Sequence, residues 1–288
     1  MPSDPTGVIE DAAQVRAILA DPAFVVPPAT QAPGTDSGTL AWLRAHVARF
    51  CDGAVHDRRR ALVERELAGL DPATLRAAAS ARTRAAIAST NNEPFDAMTL
   101  ARRIPVAVLA TELGVPDDAI HQATDAVLAA ASGYPNPDQA GPDADASVAY
   151  LARLIGPAGA DEAVANRIGL LMQTCDATAG LIGNALITAF AKADTDTTDE
   201  VVEQTLNDDP PVLRTRRQGP GGEIVTLDIS GCTFGTGRRP CPGANQATAL
   251  AAGMLDAILP ACELADQQFS YLPSPNLRIP AELMLTAR

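Results

Sequence analysis

Apolar residues recur at helical spacing along most of the chain. Residues 8–20 form an amphipathic helix in which Val8, Ile9, Val15, Ile18 and Leu19 are apolar, and it stops before Asp21-Pro22. Residues 25–37 carry three prolines and a glycine and read as a loop. Residues 39–68 give one or two helices, residues 73–90 an Ala/Arg helix, Phe95–Leu113 a stretch of core, and residues 117–131 a short helix. Residues 132–147 are rich in Pro, Gly and Asp and read as a mobile surface loop. The longest helix spans 161–193 and is apolar around its whole cylinder, which predicts burial. Inside it, Gln173, Thr174, Cys175, Asp176, Thr178 and Asn184 are polar and need a reason. An Asp/Thr cluster over 194–200 starts a helix at 199–207, although Thr198-x-x-Val201 fails as a capping box. Only residues 223–229 alternate as a strand, after a Gly/Pro turn at 218–222.

The bulk numbers narrow the function. With 288 residues and 47% apolar content the chain can bury a large core, but only 3% is aromatic, so helices must pack through Leu, Ile, Val and Ala. A net charge of −13 argues against nucleic acid, whose phosphates need a basic footprint. The same charge suits solubility, or a basic redox partner docking on one face. The five cysteines are odd in number and form no CxxC pair, against both a zinc site and a disulfide framework. With no basic, apolar leader and no bilayer-length apolar run, the chain reads as cytoplasmic.

The chemistry concentrates in Phe234-Gly235-Thr236-Gly237-Arg238-Arg239-Pro240-Cys241-Pro242-Gly243, which runs directly into a helical stretch from Ala244. Unpaired N–H groups at a helix start favour negative charge, so a thiol there should titrate low and serve as a thiolate ligand for iron. The glycines allow close approach to a flat partner, and Arg239 could pair with a carboxylate on it. A dinucleotide loop fits worse, since Gly235-x-Gly237-x-x-Pro240 lacks the third glycine.

This stretch resembles the haem-binding loop of the cytochrome P450 family, F-x-x-G-x-[HR]-x-C-x-G, and meets every fixed position. The resemblance extends in patches from residue 8 to the end. Residues 8–20 resemble the first substrate-side helix, without the helix and strands that normally precede it. Phe95–Leu113 resembles the helix leading into L-G-V-P, here Leu113-Gly114-Val115-Pro116. His56 and Arg60, at i and i+4 on one helix face, stand where the family binds the haem propionates. Arg217 falls where the family places another propionate-binding arginine.

The long helix resembles the one crossing over the haem, with the pattern [AG]-G-x-[DE]-T-[TS]. Gln173 and Thr174 replace the small pair that borders the substrate pocket. Asp176 keeps the acid, and Ala177 stands for the threonine that delivers protons, with Thr178 after it. In the family segment E-x-x-R-x-x-P-P-V, Gln204 and Asn207 replace the ion pair, and a Gln–Asn hydrogen bond could stand in. The region of the two lid helices is curtailed, which predicts a more open pocket or one closed by another protein. The sheet region is reduced to one hairpin plus closing strands in 264–285.

The resemblance implies a mainly α protein: a single P450-like domain over residues 1–288 with a small β portion, residues 1–7 flexible and 132–147 a surface loop. It implies haem b, with Cys241 as iron ligand. Phe234, Gly235 and Gly243 cradle the ring, and His56, Arg60, Arg217 and Arg239 hold the propionates. Gln173 and Thr174 line the pocket, and Asp176, Ala177 and Thr178 are the catalytic segment. It implies oxidative tailoring of a small natural-product intermediate, with a ferredoxin-type redox partner or a pathway enzyme as protein partner. Two alternatives stand beside it: redox-neutral haem chemistry, favoured by the missing threonine, and a non-catalytic relative that helps a partner enzyme.

Overall fold

The computed structural model describes residues 7–29, 37–156, 161–192, 197–266 and 268–288. The chain opens on strand β1 (Val8–Ile9), and helix α1 (Ala12–Ala20) begins only after Asp11, whose side chain accepts from the Gln14 N–H. The helix read from residue 8 is thus shorter at its start. Val8 and Ile9 lie parallel to Thr226 and Leu227, and Ile9 packs against Val15, Ile18, Leu19 and Leu227 in a small satellite core.

Helix α2 (Leu40–His46) and helix α3 (Gly53–Ala68) bracket a short turn at Ala48–Phe50. Helix α4 (Pro72–Ser89) starts on an Asp71 cap with Pro72 in its first turn, a position where a missing N–H costs nothing. Phe95–Asp96 is strand β2 rather than the start of a helix. Asp96 caps helix α5 (Ala97–Glu112) through the N–H groups of Met98 and Thr99.

Helix α6 (Ile120–Ala131) and helix α7 (Ala144–Ile155) pack on each other. The loop expected over 132–147 is therefore part structure. Pro137–Gln139 makes a helical turn, α7 already begins at Ala144, and Tyr134 is buried. Asp145 accepts from the Leu40 N–H at 2.8 Å and ties α7 to the start of α2. Helices α6 and α7 are each 12 residues long.

Helix α8 (Glu162–Phe190) runs 29 residues through the middle of the core. Its small residues serve contact. A Cβ at Gly180 would lie 2.8 Å from Pro211 Cβ, and one at Gly183 would lie 2.6 Å from Met98 Sδ. Buried Asn184 donates to the carbonyls of Asp209 at 3.0 Å and Arg278 at 3.3 Å, which explains one polar residue inside an apolar helix.

Helix α9 (Thr198–Asp208) does start on a capping box, one residue earlier than the sequence suggested: Thr197 and Glu200 satisfy each other's backbone. Strands β3 (Arg214–Gln218) and β4 (Ile224–Asp228) form the expected hairpin, with β1 on the far side of β4. Helix α10 (Ala244–Ile258), strand β5 (Cys262–Leu264) and strand β6 (Met284–Ala287) complete the chain, the second sheet running β2-β6-β5.

Gln204 and Asn207 do not bond to each other. Gln204 donates to Asp208 at 3.2 Å, and Asn207 is exposed. The charge network in this part of the core lies elsewhere. Arg76 on α4 donates to Asp256 on α10 at 2.7 and 3.0 Å, to Asp199 on α9 at 2.8 and 2.9 Å, and to Thr198 at 2.7 Å. The guanidinium bonds hold the Asp256 carboxyl below the usual carboxylate range. A depressed folded-state pKa stabilises at neutral pH, and that stability is lost as pH falls through the folded value. Replacing Arg76→Met should cost about 1.5–3 kcal/mol, the worth of charge-assisted hydrogen bonds. It should also flatten the acid limb of the stability curve, as read by urea unfolding across pH.

Candidate functional site

Cys241 sits between a stretch of left-handed backbone and the first turn of α10. Phe234, Gly235 and Gly237 all have positive φ, at 62°, 74° and 71°. A non-glycine residue in that region is strained, and such strain is held only where surrounding contacts fix it. Here the Cys241 N–H donates to the Phe234 carbonyl at 2.7 Å, and the Gly235 N–H to the Cys232 carbonyl at 2.7 Å. Gly237 lies on the end of α1, where a Cβ would come 2.5 Å from the Leu19 carbonyl oxygen.

The thiol does not titrate low as the local argument predicted. Cys241 has exposed surface, yet the protein packed around it desolvates it, and this burial pushes the thiol up. The Gly243 N–H, Arg60 and Arg49 pull the other way without winning. The helix start helps the thiolate, but desolvation is the larger effect. A metal ion's own charge would supply what the loop does not.

Around the loop stand the cations named from sequence. Arg60, on α3, donates to the Pro240 carbonyl at 2.8 Å, next to Cys241, and pairs with Glu64 at 2.7 Å. Arg239 donates to the carbonyls of Ala48, at 3.0 Å, and Cys51. Its Nε is 4.0 Å from Asp52. Arg217 is buried on β3 and donates to Thr215 at 3.1 Å and to the Arg216 carbonyl at 2.8 Å. Burial, and then the charge of Arg239, hold Arg217 below its usual value; the same two causes, in the same order, lower His56. His56 faces Asp57 at 3.1 Å. The run Arg58-Arg59-Arg60 is no uniform solvated face. Arg59 is buried and, with Arg58, grips Glu162 at the start of α8, while Arg60 turns to the Cys241 loop.

The α8 segment divides by face. Gln173 donates to the Gly169 carbonyl at 3.0 Å and accepts from Arg49 at 3.3 Å. Through Arg49, which acts electrostatically on Cys241, the structure links Gln173 to the loop. Thr174 bonds back to Leu170 at 2.9 Å. Asp176 lies 4.0 Å from Arg102 on α5, and burial raises its carboxyl. Thr178 is buried in the helix packing, and Ala177 is half-buried. Asp176 and Thr178 are thus engaged toward other elements, while Gln173 and Ala177, one turn apart, share a face. Arg49, Asp52 and Tyr134 were not picked out from the sequence, and no spacing rule marks them, because the α2–α3 connection and the segment after α6 meet only in the fold.

The residues fit a haem. Buried Arg217 and half-buried Arg239 have one carboxylate, Asp52, near them, so two further carboxylates suit the cluster. A Cβ at Gly243 would meet only Leu67, at 3.9 Å, and φ there is −100°, so no protein contact demands that glycine. Among the described residues no group of three His, Cys, Asp or Glu could hold a metal. A single thiolate suffices for iron when a macrocycle supplies the other ligands. A surface concavity of about 370 Å³ lies elsewhere, on α9, lined by Glu200, Glu203, Gln204, Asn207 and Asp208. No helix among the described residues is long and apolar enough to cross a membrane.

No protein-family model and no curated protein matches the sequence. The solved structures do match. The complex of P450BioI with an acyl carrier protein ligated to hexadec-9Z-enoic acid gives a TM-score of 0.76 at 18% identity, covering 96% of this chain and 91% of that one. CalO2 gives 0.77 at 18% identity, covering 100% and 92%. P450 RauA, complexed with a biosynthetic intermediate of aurachin RE, gives 0.77 at 19% identity, covering 97% and 90%. The fold is that of the cytochrome P450s, mainly helical with two small sheets.

Proposed function

We propose that the protein is a haem–thiolate enzyme that oxidises a small natural-product intermediate. The observation that carries this is the excess of buried guanidinium charge beside a single cysteine loop. Cys241 would ligate the iron of haem b, and His56, Arg60, Arg217 and Arg239 would hold its propionates. Bound haem supplies activation of dioxygen or peroxide, with the thiolate increasing electron density at the iron. The chain's own residues then position and exclude: Gln173 and Thr174 narrow the pocket, and Ala177 leaves room beside them. Asp176 is the one acid of this segment, and burial raises its carboxyl toward a proton-holding role. Its approach to Arg102 restrains that role.

The fold neighbour RauA, which holds a biosynthetic intermediate, supports a tailoring role. P450BioI is bound to an acyl carrier protein, which supports a protein partner, whether redox donor or pathway enzyme. Ala177 favours a second reading, redox-neutral dehydration, isomerisation or cyclisation, because no hydroxyl stands at the proton-delivering position. The visible spectrum of the purified protein, reduced under carbon monoxide, tests the haem assignment. A thiolate-type Soret band is expected. A colourless protein that haemin cannot reconstitute would remove both enzymatic readings, leaving the non-catalytic helper. Turnover without oxygen, peroxide or electrons would select the redox-neutral one.

A further inference from the structure

We infer that Arg44 and Arg49 form a site for the carboxylate of an apolar organic acid, between the end of α2 and the Gln173 face of α8. The aromatic surface beside them is built first. Phe50 and Tyr134 meet edge to face with ring centroids 5.3 Å apart. Arg44 lies over the Phe50 ring at 4.2 Å, and Arg49 over Phe50 at 5.6 Å and Tyr134 at 5.9 Å. Arg44 is tied further to the Tyr134 carbonyl. Two guanidinium planes are therefore held on one aromatic pair rather than swinging in water.

Their charge is uncompensated. Among the described residues no carboxylate lies within ion-pair distance of Arg44, Arg49 or Arg216. The groups acting on Arg44 are the protein around it, Tyr134, Arg49 and Arg216, with no acid among them. In a chain of net charge −13, two arginines on one aromatic ring without an acid are a marked local departure. Bringing like charges together costs energy unless an anion joins them. Tyr134 adds a second mark. Its hydroxyl is buried without a partner, and burial raises it to about 12, so it stays a neutral donor. It lies against Gly169, where a Cβ would be 3.2 Å away, and the Gly169 carbonyl accepts from Gln173.

A forked guanidinium pair matches a planar carboxylate, and the half-buried Phe50 ring, backed by buried Tyr134, suits an apolar body behind it. Arg49 also bonds Gln173, one turn before Ala177, which places the ligand's head at the edge of the proposed pocket. As a substrate site this rests on the haem–thiolate reading above; the binding itself does not.

Calorimetric titration of the isolated protein with octanoate and with 1-octanol tests the site. Octanoate should bind at least tenfold more tightly than octanol. Arg44→Gln and Arg49→Gln should each weaken octanoate about tenfold and leave octanol unchanged, and Arg44→Gln should also leave the haem content unchanged. Arg216→Gln, at an exposed position that leaves the core intact, should weaken it less. Equal affinity for acid and alcohol would overturn the proposal, as would full octanoate affinity in the variants. Variants that lose haem while keeping octanoate binding would assign the arginines to the haem carboxylates instead and overturn it. Displacement of octanoate by an equal concentration of inorganic phosphate would reduce the site to a general anion patch, also against it. Failure of the haem reading shows separately, in the spectrum of the wild-type protein.

Discussion

Cys241→Ala is expected to fold, to keep much of its haem affinity and to lose the thiolate-type Soret band of the reduced, carbon monoxide-bound protein. Folding should survive because the Cys241 contact that holds the loop is backbone, the N–H to the Phe234 carbonyl, and alanine keeps it. Haem affinity should persist in part because the cations of α3, β3 and the loop do not depend on the sulfur. The spectrum should change because no other described residue of the loop offers a soft anionic ligand. An unchanged spectrum would transfer the ligand to another cysteine. Cys51 is the first to test, since its carbonyl already accepts from Arg239; Cys51→Ala would then lose the band instead.

Gly237→Ala should destabilise the protein by about 2–5 kcal/mol, because two penalties fall on one position. A side chain at a φ of 71° costs about 1–2 kcal/mol. The added Cβ would stand 2.5 Å from the Leu19 oxygen, 2.7 Å from the Leu19 carbonyl carbon and 3.0 Å from the Ala20 nitrogen. All three are backbone atoms at the end of α1, and overpacking there adds about 1–3 kcal/mol. Gly243→Ala is the matched contrast. With Leu67 as its only near neighbour, it should cost about 1 kcal/mol as a lost N-cap glycine. Its larger effect should be on haem retention. Urea midpoints and haem content of the two variants separate a glycine needed by the chain from one needed by the cofactor. A Gly237→Ala protein as stable as the parent would refute the close approach to α1.

Much of the helical frame was legible because amphipathic spacing and capping residues act over a few positions. The helices over 73–90 and 161–193, the hairpin and the Cys241 loop stand close to where the pattern put them. The errors came where pairing is long-range. Val8–Ile9 read as helix from their apolar content and Phe95–Asp96 from the family resemblance, but partners over 180 residues away, β4 and β6, draw them into strands. Residues 132–147 read as loop from Pro, Gly and Asp, yet α7 begins inside them because Ala144, Val148 and Leu151 have a core to enter. The ion pair missing at Gln204 and Asn207 was visible in the sequence. The Arg76 network on α4, α9 and α10 was not, since its members are up to 180 residues apart.

By itself the sequence determined the fold class and the cysteine loop. Both rest on local order: helical periodicity, and five fixed residues within ten. It also named His56, Arg60, Arg217 and Arg239. Only the tertiary structure decided what they do. It set the Cys241 thiol high rather than low, because desolvation by distant parts of the chain exceeds the help of the nearby helix start. It split Arg58, Arg59 and Arg60 between two elements, turned Asp176 toward Arg102, and left Arg44, Arg49 and Arg216 without an acid. Charge and solvation depend on which groups meet in space, and a one-dimensional pattern does not carry that information.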